Sequence, residues 1–112
     1  MPFYDPDALK SREIAPGAHI RPLWGDKVMM VFITLEPGAE VPNHTHPHEQ
    51  AGMCLEGEFE LTIAGEPRMV RQGDAYLVPS GVEHRAVATS GKALALDIFA
   101  PPREDFIALL ES

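Results

Sequence analysis

Gly38-Ala-Glu-Val-Pro-Asn-His44-Thr-His46-Pro-His48-Glu-Gln50 is the stretch on which the fold turns. In an extended segment alternate side chains point the same way, so His44 and His46 direct two imidazoles toward one point, as a metal site requires. Pro42 and Pro47 bracket the pair and restrict the backbone around it. Gln50 follows beyond a turn expected at Pro47-His48-Glu49, where it offers an amide oxygen from the next strand. His48 shares the strand parity of His44 and His46 and is an alternative ligand, unless that turn carries it away. A fourth imidazole, His84, lies 34 residues beyond Gln50. Gly73 and the Pro79-Ser80-Gly81 turn before it swing its strand back toward the first pair.

Outward from this stretch the chain breaks into strand-sized segments. Residues 28–35 form an unbroken apolar run, Val-Met-Met-Val-Phe-Ile-Thr-Leu, expected as a strand buried on both faces and covered by a second sheet or subunit. Residues 58–63 alternate strictly, with Phe59, Leu61 and Ile63 on one side and Glu58, Glu60 and Thr62 on the other, the pattern of a half-exposed strand. Ala64-Gly65-Glu66-Pro67 then reads as a hairpin turn into a return strand at 68–70. Further strands are expected at 20–23, 51–55, 75–78, 85–88 and 93–99. After Pro101-Pro102, a helix is expected over 103–110, with acids in its first turn and Phe106, Ile107 and Leu110 on one face, packed on the outside.

Composition agrees. A chain of 112 residues is the size of one domain, 1–112, with no repeat or linker. Its 11 prolines and 9 glycines interrupt helices and exclude an all-helical bundle. The fold expected is all-β, a closed barrel or double-sheet jelly roll with a short C-terminal helix. The net charge of −8 repels nucleic acid and anionic membranes, leaving small molecules as partners. Cys54 is the single cysteine, so no intrachain disulfide forms, and its apolar strand makes it a packing residue. The opening Met1-Pro2-Phe3-Tyr4-Asp5 has no basic region followed by an apolar run, so a soluble, untargeted, cytoplasmic protein is expected. The two-sided apolar run at 28–35 points to a homodimer.

A second constellation lies near the C-terminus. In Ala93-Leu-Ala-Leu-Asp97-Ile-Phe99, Ala93, Ala95, Asp97 and Phe99 share one face. A buried acid in an apolar strand is costly unless it has a task. Arg103 stands six residues later, past the Pro-Pro corner, and its guanidinium fork suits a carboxylate. The alternative is an Asp97–Arg103 ion pair tying the last strand to the helix. His19, without a neighbouring partner, reads as a surface residue, and Arg68, Arg71 and Arg85 as solvated strand positions.

These residues resemble the two signature motifs of the cupin superfamily. Gly38, His44, His46, Gln50 and Gly57 stand at the spacing of the first motif, about 38–57. Gly73, Pro79, Gly81 and His84 stand at that of the second, about 73–88. Gln50 replaces the usual Glu, and Ala88 the usual terminal Asn. The resemblance implies a double-stranded β-helix barrel and a divalent metal held by His44, His46, Gln50 and His84. Zn, Ni, Mn and Fe all accept such ligands. A neutral amide in place of a carboxylate leaves the ion its full charge, which favours nonredox Lewis-acid chemistry on an anionic substrate.

The tail Asp97-Ile-Phe99-Ala-Pro-Pro-Arg103, taken with the first motif, resembles the KdgF family of pectin-degradation proteins. That family linearises 4,5-unsaturated monouronates in pectin and alginate breakdown. The resemblance implies that Asp97 is an acid/base, Phe99 a pocket wall, and Arg103 a catalytic and substrate-anchoring residue. The alternatives are a cupin dioxygenase of a small organic acid or phenol, and a noncatalytic metabolite- or sugar-binding cupin.

Overall fold

The segments bounded by glycine and proline become strands whose inward side chains alternate with outward ones. The computed structural model describes residues 3–112; Met1 and Pro2, part of the opening read as untargeted, lie outside the described residues. After a single 3-10 turn at Pro6–Ala8 come β1 (Arg12–Ala15), β2 (Ala18–Trp24), β3 (Met29–Leu35), β4 (Glu40–His44) and β5 (Glu49–Glu56). They are followed by β6 (Glu58–Ile63), β7 (Glu66–Arg71), β8 (Ala75–Val78), β9 (His84–Val87), β10 (Ala93–Ala100) and the helix α1 (Glu104–Glu111). One antiparallel sheet has the order β1-β2-β3-β10-β5-β8 and the other β4-β9-β6-β7. Two such sheets facing one another, mostly strand with one short helix, form the expected jelly-roll barrel.

The hairpin between β6 and β7 follows the sequence closely. Ala64 and Gly65 both take left-handed backbone angles, φ 51° and 79°, as a two-residue hairpin turn requires. Phe59 and Leu61 point inward and are buried, as their alternation demands. On β10, Ala93, Ala95, Asp97 and Phe99 are all buried. The sequence did not single out β1 as a strand: it pairs only with β2 at the sheet edge, and its residues Arg-Glu-Ile-Ala have little strand character.

Two expectations need correction. Strand β3 is not buried on both faces: Met29, Val31 and Leu35 are buried, whereas Met30, Phe32 and Thr34 are only half-buried and Val28 is exposed. The reason is topological. The opposite sheet covers one side of the six-stranded sheet, and the other side faces outward. The helix, expected outside, instead covers the inner side of that sheet. Phe106 and Leu110 join Ile20, Met29, Val31 and Phe99 in one core cluster. Burying two large side chains there contributes about 1.5–3 kcal/mol each, more than a short helix gains from its own propensity. No helix among the described residues is long and apolar enough to cross a membrane.

Candidate metal centre and cavity

Three histidines, two from the first motif and one from the second, meet inside the barrel. His44 ends β4 and pairs in register with His84, the first residue of β9. A register shift in β4 between Val41 and His44 re-aims the latter side chain. His46 lies on the connection to β5. The turn before β9 is fastened to it, because Gly81 N–H donates to the His46 carbonyl at 2.9 Å. Gly81 takes φ +77°, a left-handed conformation that explains the glycine in the Pro-x-Gly turn. Ser80 Oγ donates to the Pro47 carbonyl at 2.5 Å, a second tie between the two motifs.

One ring nitrogen from each of His44, His46 and His84 lies within 4.8 Å of the others. The opposite nitrogens are all committed. Nδ1 of His44 donates to the Pro42 carbonyl at 2.8 Å, that of His46 to the His48 carbonyl at 3.0 Å, and that of His84 to the Val82 carbonyl at 3.0 Å. A carbonyl only accepts, so each Nδ1 bears the hydrogen and each Nε2 keeps a lone pair. Metal-binding histidines are oriented in this way. His84 Nε2 is buried without a partner, an arrangement that costs free energy unless an ion or water completes it. Burial holds the His46 imidazole below its ordinary pKa and pushes His84 down to about 4. Both are therefore neutral near pH 7, the form that donates a lone pair.

Gln50, on β5, is buried, and its Oε1 lies 3.2 Å from His46 Nε2. Both atoms would then face a common point from adjacent directions. His48 turns the other way, as the turn at Pro47 leads one to expect. Its Nε2 lies 3.1 Å from Glu104 Oε2, tying the first motif to the start of α1. Three imidazoles with Gln50 beside them form a group suited to a divalent ion, with donors from β4, the connection after it, β5 and β9 that only the folded barrel unites.

Beside the histidines opens a cavity of about 540 Å³. His44, Gln50, His84, Asp97 and Arg103 give it polar lining, and Ile33, Phe59, Leu61 and Phe99 contribute to its apolar walls. Asp97 is 4% exposed. Burial pushes its carboxyl up to about 6, partly offset by hydrogen bonding and by the Arg103 charge. Tyr76 O–H donates to Asp97 Oδ1 at 2.5 Å. Phe99 packs edge-on against His46, ring centres 5.5 Å apart.

Arg103 is not paired with Asp97. Its Nη2 lies 2.7 Å from Asp105 Oδ2 and its Nε 3.2 Å from Asp105 Oδ1, and its guanidinium carbon sits 3.7 Å over the Phe106 ring. Asp97 and Arg103 thus line one cavity without the ion pair considered as their alternative role. The sequence reading missed Tyr76, Gly52 and Asp105. The alternation of β8 places Tyr76 on a strand, but its reach to Asp97 depends on a pairing register with no local signal. The remaining sequence positions are quieter. Cys54 is fully buried, and its Sγ donates to the Glu56 and Gly57 carbonyls. His19 lies near Glu13, while Arg68, Arg71 and Arg85 pair with Glu66, Glu58 and Glu40 on the surface.

Comparison with known proteins agrees with this architecture. Residues 31–99 match the cupin domain family. The pectin degradation protein KdgF of Dickeya dadantii is 35% identical over 85 residues, 75% of this chain and 77% of that protein. The H2HPP isomerase of Bacillus subtilis is 31% identical over 97 residues, 85% of this chain but 41% of that protein. Among solved structures, KdgF from a Halomonas species superposes with a TM-score of 0.87 at 30% identity, covering 95% of this chain and 98% of that one. An RmlC-like cupin from Shewanella frigidimarina gives 0.88 at 32% identity, over 95% and 96% of the two chains. The chain is a member of the cupin family and resembles KdgF within it.

Proposed function

We propose that this cupin linearises a 4,5-unsaturated monouronate, opening the ring toward the 4-deoxy-5-keto sugar acid. The observation that carries the reading is Asp97, a buried carboxyl that lines one cavity with His44, His84, Gln50 and Arg103. The similarity to KdgF supports it. In this reaction the proton on the anomeric hydroxyl leaves and one arrives at C4, so the substrate is isomerised without net gain or loss. A single carboxyl that accepts the first and delivers the second balances the exchange.

His44, His46 and His84 through their Nε2 atoms, with Gln50 through Oε1, would hold the metal. A divalent ion bound there supplies positive charge that polarises an oxygen of the sugar. Arg103, already stacked on Phe106, would bind the substrate carboxylate by taking it beside or in place of Asp105. Phe99 would wall the ring and exclude water. Zn, Ni, Mn and Fe are all compatible with this set.

The test follows the ultraviolet band of the conjugated enol ether in unsaturated galacturonate and mannuronate. Acceleration over the spontaneous reaction by metal-loaded protein supports the reading. No acceleration with metal verified present rejects it. Oxygen uptake on an organic acid would favour a dioxygenase instead, and binding without turnover a metabolite-binding cupin.

We also propose a homodimer. Leu77, Ala51, Ile98, Met30 and Leu23 stand in one row of register across β8, β5, β10, β3 and β2, on the outward face of the larger sheet. Leu77 is 56% exposed and Ile98 38%. A second copy set against this row would remove it from water. A reducing cytoplasm suits the lone buried thiol. Sedimentation of the wild type against Ile98→Glu tests the dimer, which a monomeric wild type would exclude.

A further inference from the structure

Asp97, Gly52 and Tyr76 form one row across three strands. Asp97 is opposite Gly52 in the β10–β5 pairing, and Gly52 is opposite Tyr76 in the β5–β8 pairing. The central member has no side chain. A Cβ built on Gly52 would collide with both the Asp97 carboxylate and the Tyr76 ring. The absent side chain is thus what lets the phenol cross a whole strand and reach the acid. Tyr76 is steadied from behind by Phe59, ring centres 6.1 Å apart and nearly perpendicular.

The bond divides the carboxylate into two unlike oxygens. Oδ1 accepts from Tyr76 O–H at 2.5 Å. The Gln50 side chain is a second hydrogen-bond partner of the Asp97 carboxylate, which lines the cavity. The Tyr76 hydroxyl is a permanent donor: burial and the neighbouring carboxylate raise its pKa, so it keeps its proton.

We propose that Tyr76 is a positioning residue that holds the Asp97 carboxyl by Oδ1 and so fixes how it faces the cavity, with Gly52 as the gap that makes this possible. The inference rests on the reading of Asp97 as the acid/base. Its physical content does not require turnover, because it predicts which oxygen Tyr76 holds. A carboxyl free to rotate would meet a ligand in many orientations, few of them productive. Fixing one oxygen narrows these orientations and contributes to the reaction at Asp97 through positioning.

The test uses metal-loaded protein labelled with 13C at the aspartate carboxyl, with the Asp97 infrared band assigned by its loss in Asp97→Asn. Tyr76→Phe removes one oxygen and keeps the ring. The expected result is a displaced Asp97 band, a fall in kcat of about tenfold or more, and a KM and metal content like those of the wild type. Gly52→Ala, if folded, should displace the same band by pushing the pair apart. An unmoved band in Tyr76→Phe overturns the inference whatever the activity does. A displaced band with unchanged kcat, in a wild type that turns the substrate over, overturns it too. If the wild type opens no uronate the proposed reaction falls by itself, and the band in Tyr76→Phe still decides whether Tyr76 holds Asp97.

Discussion

His84 donates its Nδ1 hydrogen to the Val82 carbonyl at 3.0 Å, and its Nε2 is left buried with no partner. The same turn of chain therefore creates the tautomer a metal needs and the unsatisfied lone pair that rewards one. His84→Ala should lower metal affinity by more than about 100-fold, since even loss of an outer-shell partner costs 10- to 100-fold. Elemental analysis after gel filtration checks it against Asp97→Asn, which should keep its metal. Equal metal content in wild type and His84→Ala would remove His84 from the ligand set.

Replacing Gln50 by Glu adds a negative charge where a neutral amide stands. An ion held there would present a net charge of about +1 rather than +2 to a substrate. Metal binding should tighten, and affinity for glucuronate, a carboxylate ligand that does not react, should weaken. Calorimetric titration of both variants gives the two affinities. Equal glucuronate binding would show that the ion's charge does not attract the substrate.

Asp97 also leaves a mark on stability. Its folded carboxyl titrates at about 6, above the ordinary aspartate value, so the folded state binds a proton more readily than the unfolded one. The sign follows: the benefit is full below the unfolded pKa and is lost as pH rises through about 6. The loss is on the order of 2–3 kcal/mol, two pH units of differential binding. Asp97→Asn removes this dependence and should be more stable than the wild type at neutral pH but not at about pH 4. Urea denaturation of the metal-free proteins at both pH values measures it.

Leu110→Ala should destabilise the protein by about 2–3 kcal/mol through the cavity it leaves beneath α1. Phe106→Ala should cost more and also free Arg103, which now lies over that ring. Urea midpoints give the first effect, and loss of glucuronate affinity gives the second. A helix packed on the outside, as its sequence alone leads one to expect, would tolerate both changes.

Cys54 should resist thiol reagents in the native protein. It is fully buried, and burial raises its pKa, so little thiolate forms near neutral pH. Titration with an aromatic disulfide should show no reaction on the minute timescale until denaturant is added. Rapid native labelling would mean that the barrel opens readily around β5.

Much of the centre is legible along the chain because it depends on local rules. His44 and His46 share a side through strand parity, Gly81 marks a left-handed turn, and the β10 alternation places Asp97 with Phe99. The histidine spacing carries the cupin resemblance for the same reason: each motif is one strand, one turn and the next strand. The β3 run illustrates the limit. A run with seven apolar residues in eight looks alike from both sides, and only the opposite sheet makes one side the core.

The linear order of residues therefore specifies an inventory and its periodicity: strands, turns, three convergent imidazoles, and an acid on an inward face. Partnership across distance arises only in the folded barrel. Arg103 could pair with Asp97 or Asp105, and the start of α1 beside its own Asp105 selects the latter. Tyr76 meets Asp97 only because β5 brings Gly52 between them in register, an empty position. The physical reason is that period and turn geometry are written within a few residues. Register and sheet order emerge from the balance of packing over the whole barrel.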